Sequence, residues 1–171
     1  MTKPMRNKSI KRFVYLALLS AMAITLALIE SIYIGPIFFG LLRVGLANII
    51  ALLAIKLLGV KDMIIVNCMR VIISSLMRGT IFGTTFWISF GGVFLSSIVL
   101  IVLDKLHSSL LFTSICSAIA HSCGQVVIVV LFYMQPGIAI LLPYLLIGSI
   151  PMGIVTGIIA QLVLKRVKPI L

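Results

Sequence analysis

Acidic side chains are nearly missing: the 171 residues include only Glu30, Asp62 and Asp104, against fourteen lysines and arginines. That scarcity excludes chemistry built on clustered carboxylates, such as magnesium sites on a diphosphate or paired general acids and bases. Charge of either sign makes up only 10% of the chain, where an ordinary soluble domain carries about 25%. Cysteine is scarce too. Cys68, Cys116 and Cys123 are odd in number and lie inside apolar runs, which argues against a disulfide framework. Cys116, His121 and Cys123 stand close in sequence, but no second group of ligands completes a metal site, and none is expected. A phosphate-binding P-loop is also missing, since Lys8-Ser9 is the only Lys-Ser pair and no glycine precedes it. The chain therefore cannot draw on ATP by itself. With no nucleophile–base pair either, it reads as a non-enzyme without a cofactor.

What is present is apolar. Hydrophobic residues make up 62% of the chain and the mean hydropathy is +1.32. A soluble domain of this size has too much surface per volume to hide that content, so lipid is the expected solvent. A bilayer core needs about 20 mostly apolar residues per helix. Six segments qualify, at residues 13–34, 44–58, 63–77, 86–103, 110–134 and 138–164, separated by glycine, proline or charge. The expected fold is all-α, a polytopic membrane bundle of six transmembrane helices forming a single domain over residues 1–171. The segment from Phe13 to Ile34 follows a basic run as a secretory signal would. It is too long for one, and reads as a retained span.

The net charge of +11 does not point to nucleic acid, because the cations sit at the ends of apolar segments. With the N-terminus inside, Lys3, Arg6, Lys8, Lys11 and Arg12 are cytoplasmic, as are Lys56, Lys61, Lys105, Lys165, Arg166 and Lys168. That places eleven of the fourteen cations inside, with both termini cytoplasmic in a cell membrane. Arg43 and Arg78 fall outside, and Arg70 falls within the membrane.

Polar residues recur at helical spacing. Asn67, Arg70, Ser74 and Arg78 share one face of the third span, and Ser114, Ser117, His121 and Gln125 share one face of the fifth. Thr85, Ser89, Gly92 and Ser96 do the same on the fourth, where packing by small residues explains them. Arginine is different, because at mid-membrane it costs about 2.5–3.5 kcal/mol. Glu30, near the outer end of the first span, can pair with one of Arg43, Arg70 or Arg78, which leaves a surplus of cations there. Asn48 and Gly45 follow Arg43, so these backbone and side-chain groups can line one pocket with Arg70, His121 and Gln125. Two readings follow: an anion-binding site formed by Glu30, Arg43, Asn48, Asn67, Arg70, Arg78, His121 and Gln125, or arginines that meet lipid phosphate. Ala17, Ala21, Ala23 and Ala27 give the first span a small-residue face, and Ser149, Gly153 and Gly157 give the sixth another. Either face can meet a helix of this chain or of a partner.

The segment Arg43-Val-Gly-Leu-Ala-Asn48, Arg70 with Arg78-Gly79-Thr80, and Ala120-His121 with Gly124-Gln125 together resemble the Gx transporter family. Its members are often labelled heptaprenyl diphosphate synthase component I. Lysine is expected where Arg43 stands and asparagine where Ser122 stands. The family is similar to the substrate-binding S components of energy-coupling-factor transporters. The resemblance implies a six-helix subunit that captures a small molecule from outside. It also implies a membrane coupling partner, met through Ala17, Ala21, Ala23 and Ala27, with ATPases supplied in trans. The family label suggests an alternative, a non-catalytic membrane subunit that assists a polyprenyl diphosphate, quinone or redox system.

Overall fold

A computed structural model describes residues 3–34, 45–132, 134, 137, 140 and 142–167. Among these residues the chain forms six α-helices and no strand. Helix α1 (Lys3–Ile29) widens into a π-helical turn at Glu30–Ile34, and α2 (Asn48–Leu57) and α3 (Val60–Met77) follow. Helices α4 (Thr84–Lys105), α5 (Leu110–Phe132) and α6 (Leu142–Arg166) complete the bundle. In lipid every backbone N–H and C=O must be satisfied within the segment, which is why the apolar runs become helices.

Among the described residues four helices are long and apolar enough to cross a bilayer, over Ser9–Tyr33, Thr84–Lys105, Leu110–Leu131 and Leu142–Arg166. Their outward faces are apolar, with Phe13, Leu18 and Met22 on α1, Phe94 on α4 and Ile147 and Leu162 on α6 all exposed. The expected six-helix membrane bundle is therefore the observed one, with unequal members.

The largest difference lies in the second segment. Expected over residues 44–58, its helix has ten residues, about 15 Å, half of a bilayer core. Gly45, Leu46 and Ala47 form a turn instead, closed by the Asn48 N–H donating to the Gly45 carbonyl at 2.8 Å. The short helix is enclosed: nine of its ten residues are buried, and only Lys56 is exposed. A helix that is apolar all round has no lipid–protein boundary to respect, so it forms the centre. Ile50, Leu52 and Leu58 pack there with Leu19 and Ala23 of α1, Met63 and Val66 of α3, Leu100 of α4 and Ala160 of α6.

Small residues set the closest approaches. A methyl on Gly124 of α5 would lie 2.4 Å from the Gly91 carbonyl oxygen of α4, so these two helices touch backbone to backbone. The small face of α6 is used in the same way, against α5. A methyl on Gly153 would meet the Ile115 Cα at 2.7 Å, and the Ser114 and Thr156 hydroxyls bond at 2.8 Å. The small residues of α6 thus serve packing within the chain.

One end of the bundle is pinned by charge. Arg12 Nε donates to Asp62 Oδ2 at 2.6 Å, joining α1 to α3, and Lys56 Nζ donates to Asp104 Oδ1 at 2.5 Å, joining α2 to α4. Each such partly exposed pair contributes about 0–1 kcal/mol. Their larger effect is to engage two of the three carboxylates at one end. Glu30 is left as the acidic residue of the other end.

Candidate functional site

At the Glu30 end, α1, α2, α3, α4 and α5 surround a small polar cavity of about 30 Å³, lined by Glu30, Asn48, Arg70, Ser74, Ser89 and His121 with Ala27, Gly45, Ala47, Val71 and Val93. Arg70 is eight residues from Arg78 at the end of α3, about 12 Å along the axis. Lipid headgroups cannot solvate it at that depth, and it is only 4% exposed.

One of its partners in the cavity is Asn48, at the first position of α2. Both terminal nitrogens of Arg70 donate to Asn48 Oδ1, at 3.3 and 3.4 Å. A guanidinium only donates, so the carboxamide must present its oxygen to Arg70 and its NH₂ away from it. That NH₂ is buried and has no hydrogen-bond partner among the described residues. It points toward Gly45, where an added methyl would lie 3.3 Å from Nδ2. A buried donor left unmade costs about 1–3 kcal/mol, which an acceptor in the cavity would recover.

Glu30 sits where the first helix widens into its π turn, a distortion that frequently marks functional sites. Its Oε1 accepts the Gly45 N–H at 2.6 Å, which ties the end of α1 to the turn before α2. Gly45, Ala47 and Asn48 are cavity residues, so the Gly-Leu-Ala-Asn segment supplies both a backbone wall and the Arg70 acceptor.

Arg78 does not line the cavity but sits beyond it, where α3 ends. Its Nη1 donates to Ser31 Oγ at 2.8 Å and its Nε to the Ser74 carbonyl at 3.0 Å, so it bridges α3 to the π turn. Gln125 is also outside the lining. Its Nε2 lies 3.2 Å from His121 Nε2, so it orients the imidazole that reaches the cavity. Gly92 lets this pair approach α4, because a methyl there would lie 2.9 Å from both Gln125 Cγ and His121 Cε1.

Asn67 is placed elsewhere. Its Nδ2 donates to Ser97 Oγ of α4 at 2.8 Å, and it does not line the cavity. Arg43 lies outside the described residues. The alanine face divides: Ala17 and Ala21 are exposed, Ala23 has no accessible surface, and Ala27 is a cavity wall. Ser31 and Ser97 carry structural bonds that sequence reading missed, since an isolated serine in an apolar helix gives no signal of its partner.

The profile of the heptaprenyl diphosphate synthase component I family matches residues 19–163. The chain belongs to that family. This is the Gx transporter family of the sequence resemblance. The matched stretch begins in α1 and ends in α6, so it contains every residue of the polar cavity. Comparisons with characterised proteins and with solved structures give no match. Membership and helix character together make this a membrane protein of the Gx family.

Proposed function

We propose that this chain is the membrane-embedded substrate-binding subunit of a transporter, taking a small anionic or amphipathic molecule into the Glu30–Arg70 cavity. The observation that carries this reading is the Asn48 NH₂, a buried donor without an acceptor among the described residues, in a cavity it shares with a deeply placed arginine. The charge balance supports it. Asp62 and Asp104 are engaged at the far end, so Glu30 faces Arg70 and Arg78 as the acidic residue of this one. An anionic oxygen would accept from Asn48 and lower the net positive charge together.

At about 30 Å³ the cavity suits water-sized occupants, so loading a larger molecule requires it to widen at the Glu30 end. The single charge-assisted hydrogen bonds from Arg78 to Ser31 and from Gly45 to Glu30 are the contacts that would have to release. In this reading the cavity faces the outside and both termini face the cytoplasm, as the cation distribution favours. A single cysteine at Lys105 should then react with an impermeant maleimide only after permeabilisation. Reaction in intact cells would reverse the orientation.

The chain carries no ATP-binding loop, so we assign energy to an energy-coupling-factor-type module supplied in trans. Ala17 and Ala21 are the accessible small residues on α1 for meeting its membrane subunit. The subunit itself is non-catalytic in this reading. Its two aspartates sit on separate helices, each paired with a cation, which does not suit a magnesium–diphosphate site.

The test is a thermal-stability series on the purified full chain with inorganic diphosphate, citrate and a neutral sugar, alongside mass spectrometry of copurifying small molecules. An anion-specific rise in melting temperature, or a copurified anion, is expected. Identical melting with all three additives and no copurified anion would overturn the assignment.

A further inference from the structure

A second cavity lies between α3 and α4, behind the Val71 and Val93 walls of the first, and has a volume of about 260 Å³. Its walls are apolar and include Val71, Phe86, Phe90, Phe94 and Ile98, and its polar lining residues are Asn67 and Ser97, with Cys68 beside them. Phe94 and Ile98 are exposed on the lipid side, so the groove is reached through the membrane.

Asn67 makes this more than a greasy cleft. The Ser97 hydroxyl has one proton, and it goes to the Val93 carbonyl at 2.7 Å. Ser97 Oγ must therefore accept from Asn67, which fixes the Asn67 NH₂ toward Ser97 and turns Oδ1 the other way. Oδ1 is buried and has no partner among the described residues, in a side chain only 3% exposed. What the groove wants is a hydrogen-bond donor.

The donor's depth narrows its source. Asn67 lies seven residues from the start of α3 and ten from its end, about 10 and 15 Å along the axis. Headgroup donors of ordinary phospholipids stay at the interfaces, so the O–H must ride on the apolar body of the ligand. The lining indicates that body. Phe86, Phe90 and Phe94 form a ladder one helical turn apart, with neighbouring rings nearly parallel at 16° and 17° and centroids 6.3 and 6.1 Å apart. Such a ladder presents ring edges and faces on which a flat aromatic ring packs well.

We propose that the α3–α4 groove is a binding site for a lipid-soluble phenol, whose ring lies along the Phe86–Phe90–Phe94 ladder and whose O–H donates to Asn67 Oδ1. Oδ1 is covered in the unliganded structure, so binding requires the Asn67 side chain to turn and present it to the groove. The site is separate from the anion cavity and does not depend on its assignment.

The full chain in phosphatidylcholine nanodiscs, a lipid without hydrogen-bond donors, provides the test. The probe is a 4-alkylphenol carrying a diazirine in its alkyl chain, with labelled residues mapped by mass spectrometry. Labelling should concentrate on α3 and α4 beside Asn67. Unlabelled alkylphenol should compete at about tenfold lower concentration than its O-methyl ether, which has the same shape but no donor. Asn67→Leu should make phenol and ether compete equally, and Ile98→Trp, which fills the groove from the lipid side, should abolish competable labelling. Equal competition by the two compounds in the parent protein would overturn the proposal. So would labelling spread evenly onto the lipid face of α1 at Phe13 and Leu18, the pattern of plain acyl-chain contact.

Discussion

Arg70→Gln is expected to weaken binding of an anion at the polar cavity by roughly ten- to a hundred-fold, the loss of one charge-assisted contact of about 1.5–3 kcal/mol. Glutamine is a suitable replacement because it removes the charge and leaves a polar amide in the cavity, although it is too short to keep the direct bond to Asn48 Oδ1. Glu30→Gln should act with the opposite sign. A glutamine oxygen still accepts the Gly45 N–H, so the turn before α2 is held, while the cavity loses a negative charge and attracts anions more strongly. The measurement is the dependence of melting temperature on the concentration of an anion that stabilises the parent protein. A parallel response of parent, Arg70→Gln and Glu30→Gln would show that the cavity charges do not contact the anion.

The largest expected loss of stability is at the α4–α5 seam. Gly124→Leu places a side chain where even its first carbon would come within 2.4 Å of the Gly91 carbonyl oxygen and 2.9 Å of the Gly91 carbonyl carbon. Both are backbone atoms, so no rotamer change relieves the clash and the helices must separate. Overpacking of this kind costs about 1–3 kcal/mol, and more where backbone meets backbone. Separation would also pull His121 and Gln125 away from Gly92, so ligand response and stability should fall together. Gly79→Ala is not a suitable control because of its positive φ, so Gly137→Leu serves, with nothing among the described residues within 4 Å of the position a methyl there would occupy. Thermal unfolding in a mild detergent decides the matter. Equal melting of the two variants would mean that the seam yields more easily than its geometry implies.

The helices were legible because lipid allows so few alternatives: an apolar run of sufficient length must satisfy its own backbone. Which residues meet was only partly legible. The third span shows why. Asn67, Arg70, Ser74 and Arg78 share a face by spacing, yet that face is wide enough to meet three neighbours. Arg70 reaches α2, Arg78 reaches the π turn of the first helix, and Asn67 reaches α4. Periodicity gives a direction around one helix, whereas the identity of the neighbour depends on crossing angles that no single segment encodes. The alanines of α1 divided for the same reason. Two of them look outward, and Ala23 disappears into a core organised by a helix too short to have been measured from hydropathy. The pairing of Asp62 with Arg12 and Asp104 with Lys56 was also invisible in sequence, since every candidate cation at that end lies near a loop.

The enclosed ten-residue helix bears on how the protein is made. At about 15 Å, α2 cannot leave the translocation machinery as a stop-transfer element of its own. Only Leu58 and Gly59 separate it from α3, and Gly59 turns the chain with a φ of 96°, a conformation open to glycine and strained for other residues. The short helix and α3 are therefore expected to enter the membrane together, as one helical hairpin. The apolar body of α2 is covered in part by Leu100 of α4 and Ala160 of α6, so its burial is complete only after both helices have been synthesised.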